Sequence, residues 1–393
     1  MDYISYEFKD NTLFIKLGER LETTNAEATE NEINEARTQN PAGSVVLDAE
    51  NLKYISSAGL RVLLRLKKKE QDLKIINVSV EVYEIFDMTG FSEMITIEKA
   101  FRKMSVDGCK VLGKGAKGIV YKYNDDTIVK VYKSNDCLPE INRERELARK
   151  AFILGVPTSI SFDVVLVGDK YGSVFELLDA ASLSEAIVDN PNDMDKYVKQ
   201  MVDLMHIIHG TTVKPTDMPN ANLEIGGKWI ESAKALLPKE DSDKAEALIK
   251  ALPAPYTMLH CDFHTNNIML QNGEALMIDM DTLSYGHPIF DLADTYLAYV
   301  GLGEVSDQLV ENFLGMKKEV YSKIWPKFLK LYLNTDDEKR IEDVNNKIKC
   351  INSLHMIRYI NKHRKNEPTF DKELNNAKEE AHNLLSKIDT LDF

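Results

Sequence analysis

The chain has 393 residues, 44% of them hydrophobic and 28% charged, and a formal charge of −14. That is the mix of a soluble globular protein of two or three domains, and it excludes collagen-like, low-complexity and wholly disordered chains. The negative balance argues against nucleic acid or an anionic membrane surface as partner. No apolar run approaches the ~20 residues of a spanning helix. The mixed, acidic start MDYISYEFKD does not read as a signal peptide. Cys109, Cys137, Cys261 and Cys350 show no CxxC spacing, which fits free thiols in a reduced, cytoplasmic protein.

The first hundred residues alternate strand and helix patterns. Residues 12–17 (TLFIKL) read as a strand, 26–37 as a weakly amphipathic helix, and 44–47 (SVVL) as a buried strand of β-branched type. The spacing predicts a helix over 58–68, a strand over 73–78, a helix over 80–88 and a final strand over 94–97. This alternation gives a small α/β domain with a mixed sheet. The run ISSAGL at 55–60 opens the first long helix. Ser57 there fits a plain N-cap. It also fits a phosphorylation site, since a helix N-terminus offers free N–H groups and positive potential to a phosphate.

The stretch VVLDAENLKYISSAGLRVLLRL resembles the central motif of the STAS domain, the bacterial anti-sigma-factor-antagonist module, over about residues 3–99. The resemblance implies a regulatory phosphorylation site at Ser57 and a protein partner. Ser56 stands where that family usually has Asp, and Ala58 where it has Ser or Thr. The boundary with the next domain is expected at the polar stretch 102–107, giving domains of 1–103 and 104–393.

The second part opens on VLGKGAKGIVY, with Gly113, Gly115 and Gly118. Such a loop lets backbone N–H groups approach phosphates closely. A G-x-G-x-x-G also occurs in dinucleotide-binding folds, but there a helix follows it. Here the continuation IVYKYNDDTIVKVY reads as a hairpin turning at 124–126, which favours a kinase-type loop. Lys130 lies in the apolar strand 127–132, either as a surface lysine or as the strand lysine that holds nucleotide phosphates. Residues 139–154 form a strong helix pattern, in which Glu144 best fits the partner of that lysine and Glu146 is the alternative.

Further on, LHCDFHTNNIML carries H-x-D-x-x-x-x-N, followed by MIDMD. Asp262 fits the carboxylate that orients a substrate hydroxyl. Asn267 and Asp279 fit the hard oxygen ligands of Mg²⁺. Asp281 is a metal ligand, a substrate contact or a turn cap. His260, Cys261 and His264 lack the spacing of a zinc site. Asp291, in FDLA, is expected to bond backbone groups of the catalytic loop.

Together, HCDFHTNN, IDMD and DLA resemble the aminoglycoside phosphotransferase/choline kinase superfamily, over roughly residues 105–393. Cys261 replaces the usual glycine and Met280 the usual aromatic residue. The resemblance implies an α+β bilobal, protein-kinase-like fold, with a small β-rich N-lobe over about 104–178 and a large helical C-lobe over about 179–393. It implies ATP and Mg²⁺ as cofactors, with the adenine against the linker that holds Glu176 and Leu178. LMHIIHGT at 204–211 resembles the family helix ending near His209, read as a packing or hydrogen-bonding residue. Helices are expected over 306–317 and 338–362.

Only eleven residues separate Asp279 from Asp291, and no A-P-E follows, so the peptide-docking segment of protein kinases is absent. That favours a small hydroxyl acceptor of aminoglycoside, choline or amino-sugar type. The alternative is a signalling protein whose kinase domain phosphorylates Ser57 or a partner, or senses nucleotide to control a partner-switching interaction.

Overall fold

The computed structural model describes residues 3–41, 43–115, 117–178 and 180–393. The lobe boundary expected at 178/179 touches Asp179, outside the described residues. The chain divides into two compact units, 1–105 with 164–168, and 106–163 with 169–393.

The first unit is built on a five-stranded sheet. β1 (Ile4–Lys9) pairs antiparallel with β2 (Thr12–Leu17), and β2, β3 (Ser44–Asp48), β4 (Lys74–Val78) and β5 (Thr96–Lys99) follow in parallel. The register sets Ile15 beside Leu47, Leu47 beside Ile75, and Ile75 beside Ile97. Leu13, Ile15, Leu47 and Ile75 are fully buried in this unit's core, as the period of two requires of strands covered by helices.

Those helices are α1 (Ala26–Gln39), α2 (Ser57–Lys69) and α3 (Val80–Met88). α2 buries Gly59, Val62, Leu63 and Leu66, a 3.6-residue stripe. The expected final strand at 94–97 starts later. Phe91–Met94 is a short helix with Phe91 buried in the core, so the strand begins at Thr96. The polar stretch 102–107 contains a further strand, Arg102–Met104, parallel to Val165–Val167.

The second unit begins with antiparallel strands β6 (Lys110–Lys114), β7 (Gly118–Lys122), β8 (Thr127–Tyr132) and β9 (Lys170–Glu176). α4 (Leu138–Ile153) lies between β8 and β9 in sequence and buries Ile141, Glu144, Leu147, Ala148 and Ala151. One carboxylate thus occupies an otherwise apolar stripe.

The remainder is mostly helical. α5 (Met194–Gly210), α6 (Gly226–Leu236), α7 (Ile289–Tyr296) and α8 (Glu338–His363) pack their apolar faces into one core. The helix expected over 306–317 stops at Leu314, because Gly315 takes a left-handed φ of 70° that ends it.

Candidate active site

The glycine loop joins β6 to β7. Gly118 is required sterically, since a Cβ there would lie 2.5 Å from the Val131 carbonyl oxygen. Gly113 faces open space and Gly115 nearly so, which leaves backbone exposed for a close ligand. Lys133 pins the loop, its Nζ donating to the Gly115 oxygen (2.8 Å) and its N–H to the Lys117 oxygen (3.0 Å).

Lys130 projects from β8 into a carboxylate cluster. Its Nζ lies 3.3 Å from Glu144 of α4 and 3.4 Å from Asp279. Glu146 instead pairs with Lys150 on the outer face of α4. The choice between the two glutamates therefore falls to Glu144, the one on the buried stripe. Tyr132 reaches the same carboxylate (3.3 Å) and the Ser173 hydroxyl (3.1 Å). Burial pushes the Lys130 ammonium down, but Glu144 and Asp279 outweigh it and hold it above its ordinary value, so it stays charged.

The catalytic loop is held from behind. Asp291 at the start of α7 accepts from the His260 N–H (2.9 Å), the Cys261 N–H and His209 Nε2 (2.9 Å). This is the backbone bonding expected of Asp291, with His209 as a hydrogen-bonding residue. Cys261 sits at φ 62°, a left-handed conformation that explains why a glycine is usual there. Asp262 then turns its carboxylate forward, nearly half exposed. Asn267 Nδ2 donates to it (3.1 Å) and to the Asp262 carbonyl oxygen (3.0 Å), and His264 Nε2 lies 3.3 Å away. Burial pushes the Asp262 carboxyl up, but His264, His260 and Asn267 together bring it down to about 2.

A tight hairpin brings the next residue into place. β10 (Ile268–Gln271) and β11 (Glu274–Met277) pair across Asn272-Gly273, both at positive φ, the favoured two-residue turn. The Ile278 N–H then donates to the Asn267 oxygen (2.9 Å). Asn267 and Asp279 are thus set by one hairpin. Asp279 itself is left-handed (φ 61°). Asp281 pairs with Lys117 of the glycine loop. Glu176 ends β9, paired in register with Thr127, and neither it nor Leu178 takes part in the lysine cluster.

Among the described residues, no three His, Cys, Asp or Glu side chains are grouped as a metal cage. Mg²⁺ does not need one. It is commonly held by one or two protein oxygens and by substrate phosphates. Asn267, whose amide hydrogens are used within the loop, and the Asp279 carboxylate fit that role.

Two features were not read from the sequence. Lys117 was visible between two glycines, but its partner is 164 residues away. The other is Asp294 of α7, whose carboxylate lies 3.2 Å from His355 Nδ1 of α8, with the His355 ring stacked on Trp229 of α6 (4.9 Å). Burial, with the Asp262 and Asp291 charges, raises the Asp294 carboxyl to about 6 against the pull of His355. A raised acid stabilises the fold below the unfolded value near 4, and that contribution is lost as pH rises through about 6. Asp294→Asn is therefore expected to gain stability over wild type as pH rises, by roughly 1–3 kcal/mol at pH 8. Urea unfolding at pH 5 and pH 8 measures it, and an equal or smaller gain at pH 8 contradicts it.

In unit one, α2 is capped by Ser56 and not by Ser57. The Ser56 Oγ accepts from the Ala58 N–H (3.2 Å) and the Gly59 N–H (3.4 Å). Ser57 is the first helical residue and is exposed.

Residues 108–326, more than half of the chain, match the phosphotransferase enzyme family. The chain belongs to this family. Residues 3–104 match the STAS domain. In that part the chain is 34% identical over 92 residues to a protein of Bordetella bronchiseptica named anti-sigma factor antagonist BtrV, covering 22% of this chain and 78% of that one.

Among solved structures, the GDP complex of a point variant of aminoglycoside 2′-phosphotransferase-IIIa matches with a TM-score of 0.50 and 15% identity, over 77% of this chain and 97% of that one. A choline/ethanolamine kinase family protein from Mesorhizobium loti gives 0.47 and 15%, over 71% and 88%. The expected fold class holds: a STAS α/β domain, then a kinase-like phosphotransferase fold with a β-rich first portion and a helical remainder. Among the described residues no helix is long and apolar enough to cross a membrane.

Proposed function

We propose that the phosphotransferase part moves the γ-phosphoryl group of ATP to a hydroxyl of a small amino alcohol, amino sugar or aminoglycoside. The observation that carries this reading is Lys130 held between Glu144 and Asp279, with the Asp262–Asn267 loop tied to Asp279 through one hairpin. In this reading the glycine-loop backbone and Lys130 receive the phosphates, and the adenine lies by Glu176 and Leu178. Asn267 and Asp279 hold Mg²⁺, which when bound neutralises charge on the phosphates. Lys130, Glu144, Asp279 and Asp281 bring more negative than positive charge, so an anionic nucleotide is better received with a cation.

Asp262 accepts a hydrogen bond from the acceptor hydroxyl and aims its oxygen in line with the phosphorus. As the new O–P bond forms, the bond to the β–γ bridging oxygen breaks, ADP leaves, and the hydroxyl proton passes to the carboxylate. A carboxyl near 2 is a weak base, which suits a loose transition state in which the proton moves late and positioning does most of the work. A small acceptor is supported by the segment after Asp279. Ser284–Tyr285 pairs directly with Met258–Leu259 and α7 starts at Ile289, leaving no chain for a peptide platform.

The STAS part is assigned a regulatory or partner-binding role. A second reading, phosphorylation of Ser57 by a kinase domain in cis or in trans, is favoured by one observation: Ser56 does the capping, which leaves the exposed Ser57 hydroxyl uncommitted among the described residues. Incubation with Mg·ATP, followed by ADP release over an amino-alcohol and amino-sugar panel and by intact mass, separates the readings. The first predicts acceptor-dependent ADP release and an unmodified chain. A single phosphate on Ser57 without acceptor supports the second and counts against the first.

A further inference from the structure

Lys117 has no part in the chemistry just described, yet it belongs to the same charge cluster. Its ammonium pairs with Asp281, joining the glycine loop to the segment that follows Asp279. Burial pushes the ammonium down, but Asp281 and Asp279 outweigh it and hold it charged, and the charge of Lys130 also reaches it. Two ammonium groups, Lys117 and Lys130, thus face three carboxylates, Glu144, Asp279 and Asp281.

The two lysines are held differently. Lys130 is 17% exposed and fixed by two carboxylates, whereas Lys117 is 50% exposed with one carboxylate partner among the described residues. A half-exposed ion pair contributes little and is easily exchanged. The backbone of Lys117 is anchored, because its carbonyl oxygen accepts from the Lys133 N–H (3.0 Å) and Gly115 bonds to Gly118 (2.9 Å). The side chain can therefore move on its flexible stem while the loop stays in place. A phosphate arriving under that loop offers an acceptor of higher charge than one carboxylate.

We propose that Lys117, paired with Asp281 in this structure, is a second phosphate-contacting lysine that transfers to the terminal phosphate when nucleotide binds. Asp281 is then the counter-ion of Lys117 and not a cation ligand. The inference rests on the nucleotide-binding reading above. It adds a charge-specific contact that reads the length of the phosphate chain: ATP gains from it and AMP does not.

The test is calorimetric binding of ATP and AMP to the full chain, with and without Mg²⁺. Lys117→Met is expected to weaken ATP about tenfold and AMP less than about twofold, with Lys117→Arg recovering most of the loss. Asp281→Asn removes the competing partner and is expected to tighten ATP about threefold without Mg²⁺. Equal ATP affinity in Lys117→Met and wild type overturns the inference, as does equal weakening of ATP and AMP. Loss of ATP affinity in Asp281→Asn only when Mg²⁺ is present also overturns it, by making Asp281 a cation ligand. A wild-type chain that binds no nucleotide overturns the nucleotide reading itself and this inference with it.

Discussion

Asp262→Asn is expected to lower acceptor-dependent turnover about a thousandfold or more while changing ATP affinity less than about threefold. Asparagine keeps the size of the side chain and an oxygen for the Asn267 amide, 3.1 Å away in the wild type. What it lacks is the charge and the second acceptor that together hold a hydroxyl in line and take its proton. The nucleotide contacts proposed above lie elsewhere, on the glycine loop and Lys130, so binding is expected to be spared. The depressed carboxyl adds a pH corollary. Asp262 stays ionised until pH falls through about 2, so it produces no acid limb in turnover above about pH 4. Steady-state kinetics with parallel nucleotide binding checks both. A variant with wild-type turnover removes Asp262 from the chemistry.

Asp279→Asn is expected to weaken ATP in the presence of Mg²⁺ by about a hundredfold, and to leave binding without divalent cation unchanged or slightly tighter. Asparagine is the informative replacement because Asp279 sits at φ 61°, a left-handed conformation that asparagine tolerates better than most residues. The backbone is then preserved and only the charge is lost. Lys130 keeps Glu144 at 3.3 Å, so the lysine is not set free. Removing one of the clustered carboxylates also lessens repulsion of a bare triphosphate. Titrations with and without Mg²⁺ measure the difference, and an unchanged Mg·ATP affinity contradicts the assignment.

The parts of the site that were legible in the sequence are those that depend on short range. H-x-D-x-x-x-x-N places Asp262 and Asn267 on one loop, and MIDMD sets Asp279 at the end of the apolar run that follows, whereas the Asn272-Gly273 turn that ties the two together was seen only in the fold. Glu144 was preferred in the sequence with Glu146 left as the alternative, and burial of Glu144 on the apolar stripe of its helix is what separates them. The parts that were not legible depend on tertiary contact. Nothing near Lys117 points to Asp281, and Asp294, His355 and Trp229 come from three separate helices.

Local competition accounts for the smaller differences. Ser56 and Ser57 both suit an N-cap, and which one serves depends on where the chain leaves its extended conformation. Ser56 is the extended one (φ −96°, ψ 172°). At 91–95 the apolar side chains satisfy a strand pattern or a helical turn equally, and burial of Phe91 and Ile95 in the core settles it.

Hydroxyl phosphorylation by this site is tested most directly by product analysis of the 393-residue chain and its Asp262→Asn variant, each incubated with Mg·ATP and an amino-alcohol and amino-sugar panel. Transfer through Asp262 predicts ADP and a singly phosphorylated acceptor in equal amounts from the wild type, and neither from the variant. Equal ADP formation by both proteins, or ADP from the wild type with no phosphorylated acceptor, would contradict it.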